Sequence, residues 1–206
     1  MSDRPSPLVK RRRPDFWHPT PELAVSLPLG AGRLTRMRWR SNQPNRADIN
    51  ALRAELDAIL EPTARRIHAL GECELAVGTS KTFRSLARLA GAAPSSAGIG
   101  VPRSLTDVGL RQVFGFISRM SSADLAELDG VSAGRAHQLV AGALVAAAAM
   151  RALRVNQLEI CPWALREGAI LRRLDTFGAA TQHQRPWPLT DGHGHDTTTT
   201  IRRAQR

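Results

Sequence analysis

Hydrophobic spacing divides the chain into a helix-rich body between two aperiodic ends. From Ala47 to Leu60, the residues Ile49, Leu52, Leu56 and Ile59 recur at helical intervals on one face, and Asn45 is placed to cap the start. Pro62 fits the first turn of a continuation toward Leu70, which Gly71 ends. Glu74 to Val77 predicts a short strand, and Thr82 to Ala90 predicts a helix with Phe83, Leu86 and Leu89 inward. Ala92 to Arg103, rich in Gly, Pro and Ser, is a loop. Thr106 or Asp107 can cap a helix reaching Met120 that buries Leu110, Val113, Phe114 and Ile117. Ser122 caps a short helix to Leu128, with Leu125 and Leu128 inward, and Ser132 caps a long Ala-rich helix to Leu153. Gln157 to Ile160 reads as a strand, and Pro162 or Trp163 opens a helix to Leu174. Ahead of these, Leu23 to Leu29 predicts a strand that Pro28 brings to an edge or turn, followed by a tight turn at Gly30-Ala-Gly-Arg.

The 42% apolar fraction is enough for a packed core, and with aromatics scarce and Tyr absent that core must be mostly Ala, Leu, Val and Ile. The net charge of +11 is uneven: residues 1–46 hold 10 Lys and Arg against 3 Asp and Glu, whereas 47–175 hold 15 against 13. A basic head of this kind attracts polyanions by counterion release. It is read as a solvated arm without a specific nucleic-acid partner. Cys73 and Cys161 are the two cysteines, which fits a reducing cytoplasm and supports neither a metal site nor a disulfide framework. The most apolar run, Leu139 to Met150, falls short of the ~20 residues a bilayer span needs, so no membrane segment is expected.

Three stretches carry candidate chemistry. The first, GTSKT at Gly78–Thr82, leads from a strand into a helix start with two hydroxyls and a cation. It is not a P-loop, because Ser80 stands where the second Gly of G-x-x-x-x-G-K-[ST] belongs. It serves either as a phosphate contact or as an ordinary cap through Thr79 or Ser80. The second, LDGVSAGRAHQLV at Leu128–Val140, approaches the helix-hairpin-helix pattern at Gly130, Val131, Ala136 and Leu139, but Ser132 replaces its second glycine. A helix stop at Gly130 followed by a cap at Ser132 explains the same residues. The third, CPWALREGAILRRL, carries adjacent Arg166 and Glu167 near a helix start, where a surface ion pair contributes ~0–1 kcal/mol. His193 and His195 form an H-x-H in the tail without a further ligand nearby, and no zinc site is read there. No catalytic motif with a nucleophile, paired carboxylates or a pyrophosphate-binding glycine run is present.

SLPLGAGRLTR (Ser26–Arg36), AVGTSKTFRSLARLAGAAPS (Ala76–Ser95) and FISRM…GRA…AGAL…PWALREG (within Phe116–Leu171) together resemble the exopolyphosphatase / guanosine pentaphosphate phosphohydrolase (Ppx/GppA) family. The resemblance runs from about Leu23 to Leu174 and implies an α/β, ribonuclease-H-like domain of the actin, sugar kinase and Hsp70 superfold, helix-rich and with disordered ends. It matches the family's second domain. In the family a D-I-G-G-G-S phosphate loop precedes SLPLG, whereas this chain reads SPLVKRRRPDFWHPTPELAV there. The resemblance therefore predicts a basic arm over 1–22, a truncated second domain over 23–175 and a tail over 176–206.

By the same resemblance, Gly78, Thr79, Ser80 and Lys81 are a remnant of the phosphate-binding loop at the cleft. Lys81 stands where many members have Gly, and His137 where many have Asp. Gly142 matches the small residue that lets helices of the two domains approach, a role expected to lapse without the partner helix. Arg166 and Glu167 match a structural motif. The intact family implies polyphosphate or guanosine polyphosphate as substrate and Mg2+ as cofactor. This chain is expected to carry no catalytic residue and no metal of its own, and to be inactive by itself. Alternatives are a non-catalytic module that binds polyphosphate or nucleic acid, and one half of a split enzyme with a first-domain partner. Self-association is also expected, through an apolar face that includes the Ala-rich helix around Ala143 to Ala148.

Overall fold

The structure is a computed structural model that describes residues 22–39, 44–163, 168–170 and 173–174. The chain divides into two compact units, Met1–Ala164 and Leu165–Arg206. In the second, residues 168–170 and 173–174 are helical. The body of the first unit forms around a helix whose sequence, LVAGALVAAAAMRA, has no polar side. A helix that is apolar all round is stable only if other elements cover it on every side. This is α6 (Leu139–Ala152), and α1 (Ala31–Arg38), α2 (Arg46–His68), α3 (Lys81–Leu89) and α4 (Asp107–Ile117) all pack on it. Ala143, Ala146 and Ala148 are at most 1% exposed, which corrects the expectation of an exposed Ala-rich face. What covers those alanines is this chain's own helices.

The longest helix follows its sequence closely. Asn45 caps α2 in a reciprocal box, its side chain accepting from Asp48 N–H while the Asp48 carboxylate accepts from Asn45 N–H. Leu52, Leu56, Leu60 and Ala64 supply the buried face. Pro62 lies inside one continuous helix rather than at the start of a second. The last turn of α2 is tied to the end of α6 by His68 Nε2, which donates to Ala152 O at 2.8 Å.

Beside the helices lies a small mixed sheet in the order β1-β3-β2, made of β1 (Val77–Gly78), β2 (Ser104–Thr106) and β3 (Gln157–Ile160). β1 runs parallel to β3 with Gly78 opposite Ile160, and β2 runs antiparallel to it with Leu105 opposite Leu158. Strand β2, which lies within the predicted loop-to-helix passage, is too short to show alternation, yet Leu105 is fully buried. Thr106 caps α4 by accepting from Gly109 N–H at 3.0 Å.

Three other expectations change. Leu23 to Leu29 is irregular, because Pro28 has no N–H to offer a ladder and Leu27 and Leu29 reach the core without one. The predicted turn after it is instead α1, with Gly30 as its N-cap and Leu34 and Thr35 buried. Ser121 rather than Ser122 caps α5 (Ser122–Ala126), and Ser132 makes no capping bond, because a 3-10 helix over Ala133–Gln138 precedes α6. Among the described residues no helix is long and apolar enough to cross a membrane. The 1–21 part of the basic arm, the tail and its two histidines lie outside the described residues.

Enlarging Ala146, which is 1% exposed on α6, should therefore be harmful despite leucine's good helix propensity. Ala146→Leu is expected to lose ~1–3 kcal/mol of stability, and Leu56→Ala in the facing helix ~2–5 kcal/mol. Denaturant unfolding followed by far-UV circular dichroism measures both.

Candidate polyanion-binding cleft

The Gly78–Thr82 turn leaves the sheet where β1 ends. Gly78 is buried in the ladder, its carbonyl accepting from Cys161 N–H at 2.9 Å, while Thr79, Ser80 and Lys81 are exposed. A Cβ at Gly78 would come within 3.1 Å of the Phe83 ring, so the tight strand-to-helix turn favours glycine. Ser80 caps α3 by accepting from Phe83 N–H at 3.1 Å. Its hydroxyl oxygen therefore takes part in the ordinary capping that the sequence left open.

Helix α3 then presents Lys81, Arg84 and Ser85 at positions i, i+3 and i+4, along one face. That face forms one wall of a cleft of about 270 Å³, and the opposite wall is the Gly130–Ser132 turn with Arg135 and Leu139. Ser95, from the 92–103 loop, also lines it. The Arg103 guanidinium holds that loop in place by donating to the carbonyls of Ala93 (2.9 Å), Pro94 (2.6 Å), Gly98 (3.0 Å) and Val101 (2.9 Å). Two stretches separated by some fifty residues in sequence, GTSKT and DGVSAGR, thus face each other.

The field in the cleft is positive. Lys81, Arg84 and Arg135 line it together with the hydroxyls of Ser95 and Ser132, and no carboxylate is among the described lining residues. The guanidinium of Arg84 is anchored at one end, with Nη1 donating to Pro162 O at 3.1 Å. Helices α2, α4 and α5 each carry an aspartate in the first turn, while α1 and α3 carry none. The positive ends of those two helices are therefore left without a local counter-charge. Their starts meet over Gly142 of α6, where a Cβ would overlap the Thr82 methyl and lie 3.5 Å from Ala31 Cβ. Gly142 thus permits a close helix approach within this chain.

Of the four loop residues singled out in the sequence, Lys81 lines the cleft, Gly78 lies in the ladder, and Thr79 and Ser80 sit at the turn outside the lining. Arg166 and Glu167 lie outside the described residues. Arg84 and Arg135 were not singled out. The first was detectable as a cation one helical turn from Lys81, but the second faces the cleft through tertiary folding and had no local signal.

With this geometry in place, the fold is matched by solved structures of the same architecture. The Ppx/GppA family member of Aquifex aeolicus superposes with a TM-score of 0.61 at 18% identity, over 79% of this chain and 50% of that one. An exopolyphosphatase from Cytophaga hutchinsonii gives a TM-score of 0.61 at 17% identity, over 71% of this chain and 48% of that one. The fold is therefore the actin-like α/β fold of those proteins.

The chain belongs to the Ppx/GppA phosphatase family, whose model matches residues 18–177. Exopolyphosphatase 1 of Mycobacterium tuberculosis is 61% identical over 161 residues, which are 78% of this chain and 47% of that protein. The corresponding protein of Mycobacterium leprae is 58% identical over 161 residues, 78% of this chain and 48% of that one. The chain spans about half the length of the curated relatives it matches.

Gly142→Ala is expected to force α3 away from α6 and to cost ~1–3 kcal/mol, as overpacking of a tight core does. Thr82→Ser, which removes the obstructing methyl, should recover part of that loss in the double variant. Thermal melts of the single and double variants give the comparison.

Proposed function

We propose that this region is the phosphate-gripping part of an exopolyphosphatase-type phosphohydrolase, and that by itself it binds a phosphate chain without cleaving it. The observation that carries the reading is the convergence of Lys81, Arg84 and Arg135 with two serine hydroxyls in a cleft whose described lining has no carboxylate. Such a set can neutralise and orient successive phosphates, Arg135 through paired donors, Arg84 through the donors its Pro162 bond leaves, and the lysine as a point charge.

Cleavage of a phosphoanhydride needs more than a grip. It requires a group that orients and deprotonates water, whose loss costs ~10²–10⁴-fold, and compensation of charge on the transferred phosphoryl. The cleft supplies part of the second requirement and nothing for the first. The residues present do not fit the Mg2+ implied for the intact family, since that ion takes carboxylate and phosphate oxygens. Among the described residues no group of three or more His, Cys, Asp and Glu is placed to hold a metal. Inactivity of this chain and completion of the site by a first-domain partner both belong to this reading. So does a cytoplasmic location, on the strength of the free thiols Cys73 and Cys161.

Titration calorimetry with inorganic polyphosphate across a series of salt concentrations tests the proposal, alongside a phosphate-release assay. Binding should weaken as salt rises, Lys81→Ala combined with Arg135→Ala should weaken it by about tenfold, and phosphate release should stay at the blank rate. Release above the blank, or binding that ignores both substitutions, overturns the reading. Guanosine pentaphosphate and duplex DNA serve as competitors, and preference for either over polyphosphate overturns the assignment of the ligand.

A further inference from the structure

Arg88 continues the basic face of α3, one turn beyond Arg84, and would be counted among the anion-holding cations by spacing alone. Each of its three guanidinium nitrogens already has a partner. Nε and Nη2 donate to Asp129 Oδ2 at 3.0 and 2.5 Å, and Nη1 donates to Ala92 O at 3.0 Å. Three residues earlier on α3, Ser85 Oγ donates to the carbonyl of Gly130, the residue after Asp129, at 2.7 Å. Gly130 itself has φ +83, and a Cβ there would come within 2.5 Å of Arg88 Cγ. The turn that forms the far wall of the cleft is thus fastened to α3 at two consecutive residues, and the aliphatic stem of Arg88 packs beneath it.

We propose that Asp129 and Ser85 are positioning residues for anion binding, holding the Gly130–Ser132 wall at its working distance from Lys81 and Arg84. The inference rests on the cleft being the anion site. It assigns an acidic residue a supporting role beside a site for negative charge, and so it makes a prediction opposite in sign to simple electrostatics. The Asp129 side chain is 77% exposed and belongs to the lining of the neighbouring cleft that Arg84, Ser95 and Gly130 share with the first. If Asp129 acted only through its charge, neutralising it would strengthen polyanion binding, because it would remove a repulsive neighbour. If it positions the wall, neutralising it weakens binding, because the turn loses its charge-assisted anchor.

The experiment uses the full chain and inorganic polyphosphate at one fixed ionic strength, with Lys81→Ala as the control for the cleft. Asp129→Asn and Ser85→Ala should each raise Kd by about three- to tenfold, the scale of one lost charge-assisted or neutral hydrogen bond. Ser85→Thr, which keeps the hydroxyl, should restore affinity to within about twofold. Ser85→Ala changes no charge, so its effect cannot arise from the field. Because Ser85 itself lines the cleft, amide hydrogen exchange at Gly130–Ser132 without polyphosphate must also speed up in Ser85→Ala and Asp129→Asn, a change that loss of a direct anion contact would not cause. Melting curves record whether each variant is folded at the assay temperature, and exposure of Asp129 leaves the core untouched. Unchanged or tighter binding by Asp129→Asn, or equal binding by Ser85→Ala and Ser85→Thr, overturns the positioning role while Lys81→Ala still weakens binding. Failure of Lys81→Ala to weaken binding overturns the cleft reading itself.

Discussion

The structure depends on one helix that has no face suited to water. Helix α6 is built from Ala, Val, Leu, Gly and Met almost without interruption, and its burial requires α1, α2, α3 and α4 to surround it. Small side chains make this possible, because alanine and glycine let neighbouring axes approach closely and convert a narrow space into continuous van der Waals contact. The cost is intolerance: at Gly142 there is no room even for a methyl beside Thr82. The same close approach brings the start of α3 over α6, with the start of α1 alongside. In that sense the core packing and the position of the cleft are one fact.

Once the starts of α1 and α3 are held there, their electrostatics follow from which residues the chain leaves out. A first-turn aspartate at either helix would have offset the positive helix end, as Asp48, Asp107 and Asp124 do elsewhere. In their place α3 opens on Lys81 and continues through Arg84, and Arg135 arrives from the opposite wall. The outcome is a cleft whose described lining carries three cations and several hydroxyls and no carboxylate.

Much of the body was legible because its signals are local. The Asn45 cap, Leu52 and Leu56 on the buried face of α2, the Ser80 cap and the Gln157–Ile160 strand each lie within a few residues of chain, so propensity and periodicity reach them. Leu60 and Ala64, by contrast, take deeper places than Ile49 and Ile59 through packing. Strand β2 was not legible, because three residues cannot display a period and its place is set by pairing with β3. Pro28 and Pro62 depart from their sequence expectation in opposite senses. The first prevents a strand that the apolar run suggested, and the second sits within a helix because neighbouring packing keeps that helix whole. The Ala-rich segment was legible as a helix but not as the covered centre, since an apolar surface alone does not say which partner covers it.

The sequence by itself determined the family, most of the helices, the caps at Asn45, Ser80 and Thr106 and the excess of positive charge, all of which are properties of residue type and short spacing. It also marked GTSKT and DGVSAGR as unusual stretches, without any sign that they belong together. Only the tertiary structure decided that these two turns form the walls of one cleft, that Ser80 spends its hydroxyl on a cap, and that Arg88 spends its charge on Asp129. The reason is physical. A hydrogen bond or ion pair commits a side chain to one partner, and partners distant in sequence are chosen by how the core packs rather than by any local pattern.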